Sequence, residues 1–282
     1  MRQLSFKGKE PILYLVATPI GNINEVSNRT LDILNSSDFI ACEDTRNTGK
    51  LLNMLGIKKE LISCHEHNEE AAGEYIIKLL LDGKKVSYVS DAGYPGISDP
   101  GERLVKKCIQ NNIKVSTISG PCAFINALVA SGLDSKHFYF HGFLNAKSTV
   151  RINELKEMLN RKETLIFYES PHRIKKTLLD LFEVFGARKA VIARELTKLH
   201  EEYIRSNLEE LSQIDEATLI GEMVIIVEGN NKEESPYKDK EELIKMVQSF
   251  ENLGYTTKDA IKKVSDLTNV NKNEIYRIYH HN

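Results

Sequence analysis

The chain has 282 residues, 41% hydrophobic and 28% charged, with 38 basic and 40 acidic side chains for a net charge of −2. This composition excludes a disordered chain and allows more than one packed core, while the near-neutral total excludes polyanion binding by bulk charge, so any nucleic-acid contact must be a local patch. The longest apolar runs, such as residues 219–227, are interrupted and far shorter than the roughly 20 residues of a membrane span, and residues 1–11 hold Arg2, Lys7 and Lys9 without an apolar segment, which reads as no secretory signal and a cytoplasmic chain.

Along the chain, short runs rich in β-branched residues at 12–17, 39–42, 85–90, 114–118, 138–140, 164–168, 190–193 and 223–227 alternate with helical periodicity, for example at 76–81, 104–110, 152–159 and 174–185. That rhythm predicts an α/β fold. Ligands of such sheets lie beyond the carboxyl ends of the strands, and there the chain carries TPIGN (18–22), SDAGYPG (90–96), SGPCA (119–123) and ESPHR (169–173). The most informative segment is SDAGYPGISDPG (90–101), with three glycines and two prolines in twelve residues. Glycine lets a ligand approach the main chain and proline pre-fixes the loop, so the segment reads as a ligand-holding loop. The alternative is an ordinary turn in which Asp99 caps a helix that begins at Pro100.

Two α/β domains, residues 1–118 and 119–230, fit this pattern. Residues 230–240, with Ser235 and Pro236, read as a linker. Residues 237–282 then hold three helical patterns: Leu243, Met246, Val247 and Phe250 at helical spacing, and two capping-box variants, Thr256 with Asp259 and Asn271 with Glu274. They predict a small helix-turn-helix-like appendage or a packing element.

Cys42, Cys64, Cys108 and Cys122 form no CxxC pair and read as reduced and mostly buried. Cys64, His65 and His67 lack a second ligand group at a recognisable spacing, so no metal is expected. No P-loop and no GxGxxG is present. Loops offering main-chain groups, small residues and acids such as Asp91 suit a compact zwitterion with a flat heterocycle, of which S-adenosylmethionine is an example.

The motifs LYLVATPIGNINEVSNRTLDIL (13–34), ACEDTRNTGKLL (41–52), SDAGYPGISDPG, ISGPCAF (118–124), FHGFL (140–144), FYESPHRI (167–174) and ARELTKLHEE (193–202) occur in this order. In them the chain resembles the ribosomal RNA small subunit 2'-O-ribose cytidine methyltransferases of the tetrapyrrole methylase superfamily. The resemblance implies a homodimeric two-domain α/β methyltransferase with S-adenosylmethionine in a cleft between the domains, acting on a cytidine ribose of 16S ribosomal RNA in the assembled 30S subunit. It implies donor contacts at Pro19, at Ser90, Asp91, Ala92 and Ile97, at Cys122 and Ala123, and at Tyr168 and Leu196. The superfamily's Gly-Asp-Pro loop stands here as Ser90, Asp91 and Ala92, with extra residues before Ile97.

Methyl transfer to a hydroxyl needs in-line positioning and removal of a proton. Glu169, His172, Glu43, Asp44 and Glu195 are candidate bases, each with an ion-pairing or capping alternative. Glu169, Arg173 and Arg46 form the candidate catalytic set, with Arg46 and Arg173 as phosphate contacts inside dense motifs. Lys50, Lys175, Lys176, Arg194 and Lys198 are further cations near strand ends, and Lys258, Lys262, Lys263, Lys272 and Arg277 offer a second RNA contact. Two other readings stand beside this one: a tetrapyrrole substrate on the same fold, and a non-catalytic RNA-binding protein with purely architectural loops.

Overall fold

The computed structural model describes residues 2–5, 10–231, 240–268 and 270–280. The first half contains β1 (Ile12–Val16), α1 (Asn28–Ser36), β2 (Phe39–Cys42), α2 (Thr45–Met54), β3 (Glu60–Ser63), α3 (Glu69–Leu81), β4 (Val86–Val89), α4 (Glu102–Gln110) and β5 (Lys114–Ile118). Its strands form one sheet in the order β3-β2-β4-β1-β5, with every pairing parallel. Period-two alternation sends Leu13 of β1 to one face, with Ile76, Leu80, Tyr88 and Leu104, and Val16 to the other, with Leu34, Ile40, Leu52 and Val89. Helices cover both faces, so the central strand β4 is buried throughout. Because all five strands run the same way, their carboxyl ends share one edge, and the loops at 17–22, 43–44, 64–68, 90–101 and 119–122 gather there.

The second half contains α5 (Ala123–Ser131), β6 (Phe138–Phe143), α6 (Ser148–Glu157), β7 (Thr164–Glu169), α7 (Ile174–Phe185), β8 (Lys189–Arg194), β9 (Glu202–Asn207), α8 (Leu208–Leu211) and β10 (Met223–Val227). This sheet has the order β6-β7-β10-β8-β9 and is mixed. Strand β6 runs parallel to β7, whereas β10 is inserted antiparallel between β7 and β8, and β9 returns antiparallel to β8. Strand β10, MVIIV, is buried on both faces. A buried Arg151 on α6 is held by Asp180 on α7, its guanidinium 2.6 Å from the carboxylate, while Ser148 donates to the same oxygen.

Residues Met1–Asn230 form one compact unit. At the free edge of β5, the side-chain amide of Gln3 donates to the Val115 carbonyl at 2.7 Å and accepts from the Val115 N–H at 3.1 Å. Asn231–Asn282 form a second unit, with α9 (Lys240–Asn252), α10 (Thr257–Thr268) and α11 (Lys272–His280) packed around Leu243, Val247, Ala260, Ile261, Val264 and Ile275. The Thr256 cap of α10 forms, with the Asp259 N–H donating to Thr256 Oγ1 and that hydroxyl donating to the Asp259 carboxylate in place of the backbone arm of a capping box. Residues 232–239, which include most of the expected linker and its Ser235, Pro236 and 237 boundary, lie outside the described residues.

Candidate functional site

The loops at the carboxyl edge of the first sheet are tied to one another by their own backbones. Thr18, just beyond β1, forms an isolated antiparallel bridge to Gly93, with N–H···O distances of 2.9 and 3.1 Å. The Thr18 hydroxyl donates to the Ser90 carbonyl, the Ser90 hydroxyl donates to the Gly93 carbonyl, and the Tyr94 hydroxyl accepts from the Gly120 N–H. Gly120 approaches Ala17 so closely that a Cβ there would lie 2.8 Å from the Ala17 Cβ. Three of the Gly- and Pro-bearing loops are thereby fixed as one surface.

That surface faces the edge of the second sheet across a cavity of about 270 Å³, just below the roughly 300–1,000 Å³ typical of small-molecule sites. Ala92, Gly93, Tyr94, Ile97, Ser98 and Asp99 form one wall. Ile20 adds to it, and Cys122 and Ala123 stand at the start of α5. The opposing wall comprises Phe143, Tyr168, Glu169, Ser170, Pro171, Leu196, Glu222, Met223 and Val224. No side-chain oxygen caps the α5 N-terminus and only the Cys122 thiol meets the Phe124 and Ile125 N–H groups, so the helix end keeps a partial positive charge suited to an anion.

Of the residues expected to hold a donor, Ala92, Ile97, Cys122, Ala123, Tyr168 and Leu196 line this cavity, and Pro19, Ser90 and Asp91 do not. Pro19 gives way to its neighbour Ile20. Ser90 is buried in the hydrogen bonds that join the loops. Asp91 turns the other way, accepts from the Asn47 side chain at 2.7 Å, and lines a second, polar depression with Glu43, Asp44, Thr45, Arg46, Ser63 and His65. There the Glu43 carboxyl is pushed above its usual range, first by burial and then by Asp91.

The reading of Asp99 as a helix cap is overturned. Helix α4 begins at Glu102 behind Gly101, whose φ of 137° no other residue type adopts with ease, and the Gly101 N–H donates instead to the buried Glu69 of α3. Asp99 is left in the cavity wall, where burial, with Glu43 and Asp91 adding like charge, raises its carboxyl to about 7. Among the described residues neither a cation nor a hydrogen-bond donor offsets this.

Glu169 has both carboxylate oxygens engaged. One oxygen accepts from the Ser170 N–H and from the Arg173 guanidinium, the other from the Thr177 hydroxyl at 2.6 Å. It therefore folds the ESPHR turn and aims Arg173, while the second oxygen, with Thr177 as its donor, keeps one further acceptor position at the cavity wall. Arg46 pairs with Asp44, not Glu43, through Nε and a terminal nitrogen at 3.1 and 2.7 Å, and this pairing helps to hold Asp44 down at about 2. Glu195 accepts from Lys198 and from the Glu222 N–H. His172 is exposed. The cysteines are free, and no cluster suited to a metal ion occurs among the described residues.

Among the cavity residues that the sequence did not single out are Asp99, hidden by its resemblance to a cap, and Phe143, whose only signal was its place in FHGFL after a glycine.

Residues 12–212 match the family model for tetrapyrrole (corrin/porphyrin) methylases. The chain is 47% identical over 272 residues to ribosomal RNA small subunit methyltransferase I of Halalkalibacterium halodurans, covering 95% of this chain and 94% of that one. It is 44% identical over 286 residues to the Bacillus subtilis protein of the same name, covering 99% and 98%. Among solved structures, uroporphyrin-III-C-methyltransferase from Thermus thermophilus superposes with a TM-score of 0.55 at 18% identity, over 78% of this chain and 94% of that one. A cobalt precorrin-4 methyltransferase superposes at 0.59 with 16% identity, over 77% and 94%. These two likenesses speak for the fold alone.

Proposed function

Because the chain belongs to the tetrapyrrole methylase family and, within it, to the ribosomal RNA small subunit methyltransferase I group, we infer that it transfers a methyl group from S-adenosylmethionine to the 2'-hydroxyl of a cytidine ribose in 16S ribosomal RNA. The observation that carries this reading is near-full-length identity to the ribosomal RNA methyltransferases. It is joined by a cavity of about 270 Å³ at the strand ends that holds six of the nine residues expected there. The same inference takes the assembled 30S subunit as substrate, a homodimer as the working form and the cytoplasm as the location. Among the described residues no helix is long and apolar enough to cross a membrane.

When bound, S-adenosylmethionine supplies an electrophilic methyl on a sulfonium. The cavity residues suit such a molecule. Ile20, Ile97, Leu196 and Val224 give apolar surface for a flat heterocycle, the positive start of α5 suits a carboxylate, and Asp99 has no counter-charge of its own and suits a cation. The tied loops keep these groups fixed before ligand arrives, and positioning of this kind is worth up to about 7–11 kcal/mol of a transfer barrier. Transfer of that methyl would form an oxygen–carbon bond, break the carbon–sulfur bond and release the hydroxyl proton to water, leaving a neutral thioether and a methylated ribose. Arg173, braced by Glu169, and Arg46, braced by Asp44, offer planar donors to the RNA phosphates.

The test supplies labelled donor to the full-length protein with unmethylated 30S subunits or naked 16S RNA. Label in a ribose that resists alkaline cleavage supports the reading, and label in a base or none in RNA overturns it.

A further inference from the structure

Phe143 is an aromatic residue at the cavity wall that leaves 54% of its surface exposed. Its ring is braced from behind. It stands edge-on to Tyr168, with centroids 5.5 Å apart; Tyr168 stands edge-on to Phe140 at 5.0 Å; and Phe140 stacks on Phe124 at 4.4 Å. Strand geometry explains the orientation. Residues three apart on a regular strand point to opposite faces, but a register shift between Phe140 and Gly142 inserts one residue, so Phe140 and Phe143 both meet Tyr168. Gly142, at φ 83°, makes the shift, and a Cβ there would lie 3.0 Å from the Ser98 hydroxyl, so the strand end is pressed onto the 90–101 loop. The result is a rigid ring at the rim of the donor cavity, supported on its inner side and open to solvent on the other.

We propose that Phe143 is the platform on which the nucleobase of the target nucleotide stacks while its ribose enters the cavity, an inference that rests on the RNA-methylating function given above. A 2'-hydroxyl within a stacked strand is flanked by its neighbours. A methyl group held inside a cavity is reached only by a hydroxyl that enters it, and a nucleotide swung out of its strand to do so leaves its base without stacking partners. An aromatic side chain at the entry point restores one of them. Stacking uses the π-face that all bases share, so the ring improves capture of the nucleotide without choosing between cytosine and uracil.

The test uses the full-length protein and unmethylated 30S subunits, with labelled transfer as one readout and calorimetric S-adenosylmethionine affinity as the other. Phe143→Ala and Phe143→Leu lower kcat/KM for the subunit by about 5- to 100-fold, while Phe143→Tyr and Phe143→Trp keep it within about threefold, since only the latter two retain a planar ring. Donor affinity stays within about threefold of wild type in all four, and loss of the edge-on packing on Tyr168 lowers the thermal midpoint of Phe143→Ala by no more than about 4 °C. Full transfer by Phe143→Leu overturns the proposal, because it shows that apolar bulk suffices. Parallel loss of donor affinity in Phe143→Ala also overturns it, because it assigns the ring to the donor. Wild-type transfer to RNA decides the underlying function, and the ratio of the Leu to the Tyr variant decides the role of the ring.

Discussion

Asp99 combines a cavity-facing carboxyl with a titration point raised to about 7. The folded chain thus holds this proton more tightly than the unfolded one, so its contribution makes stability fall as pH rises from about 4 to 7. Asp99→Asn removes that slope, read as the thermal midpoint against pH. A cationic ligand favours the ionised form, so the sign for binding is opposite. Donor affinity measured by calorimetry rises about tenfold per pH unit below 7 and levels off above it, whereas Asp99→Asn binds weakly with no such dependence. Thr177 offers a second test at this scale. Thr177→Val leaves one oxygen of the buried Glu169 without its donor and lowers stability by about 1–3 kcal/mol, measured by urea unfolding. Asp91 and Asp99 also mark what the sequence could convey. The resemblance drew attention to Asp91, because it stands where related loops carry their acid. The turn that sends Asp91 out and brings Asp99 in depends on a Gly96 N–H bond to the Pro100 carbonyl and on the positive φ of Gly101, neither of which leaves a periodic trace.

Among the elements, the strands that pair in the middle of each sheet were the most legible. Met223–Val227 is a continuous apolar run, and Val86–Val89 one broken only by the buried Ser87, because both of their faces are covered. Strands β3 and β9 were not among the runs read as strands, since they are edge strands of mixed polarity, ELIS and EYIRSN, with half-exposed faces that blur the alternation. The antiparallel insertion of β10 was not legible at all, because strand direction is set by pairing partners far away in the chain. Close approach between loops is equally silent in sequence and has a direct test. Gly120→Val drives a side chain into Ala17, destabilises the chain by about 1–3 kcal/mol and displaces the wall that begins at Cys122, so donor affinity falls with stability. Between helices, Arg151→Met strips the buried Asp180 of its cation and costs about 3–5 kcal/mol in a urea titration, unless Asp180 is replaced as well.

Across the whole molecule, stability is divided unequally. The unit from Met1 to Asn230 carries two sheets with helices on their faces, whereas the unit from Asn231 to Asn282 rests on three short helices around a small apolar core. Small cores are marginal, so amide exchange over residues 240–280 is faster than over the strands β4 and β10, and equal protection in both would contradict this. The paired amide of Gln3 on Val115 has a different consequence. A bare sheet margin is a template to which a foreign strand can add, and here a single side chain offers the donor and acceptor that an invading backbone would otherwise supply. Gln3→Ala leaves activity intact yet lets molecules join rim to rim on warming, seen as earlier onset of light scattering, so one amide near the start of the chain helps to keep its neighbours apart.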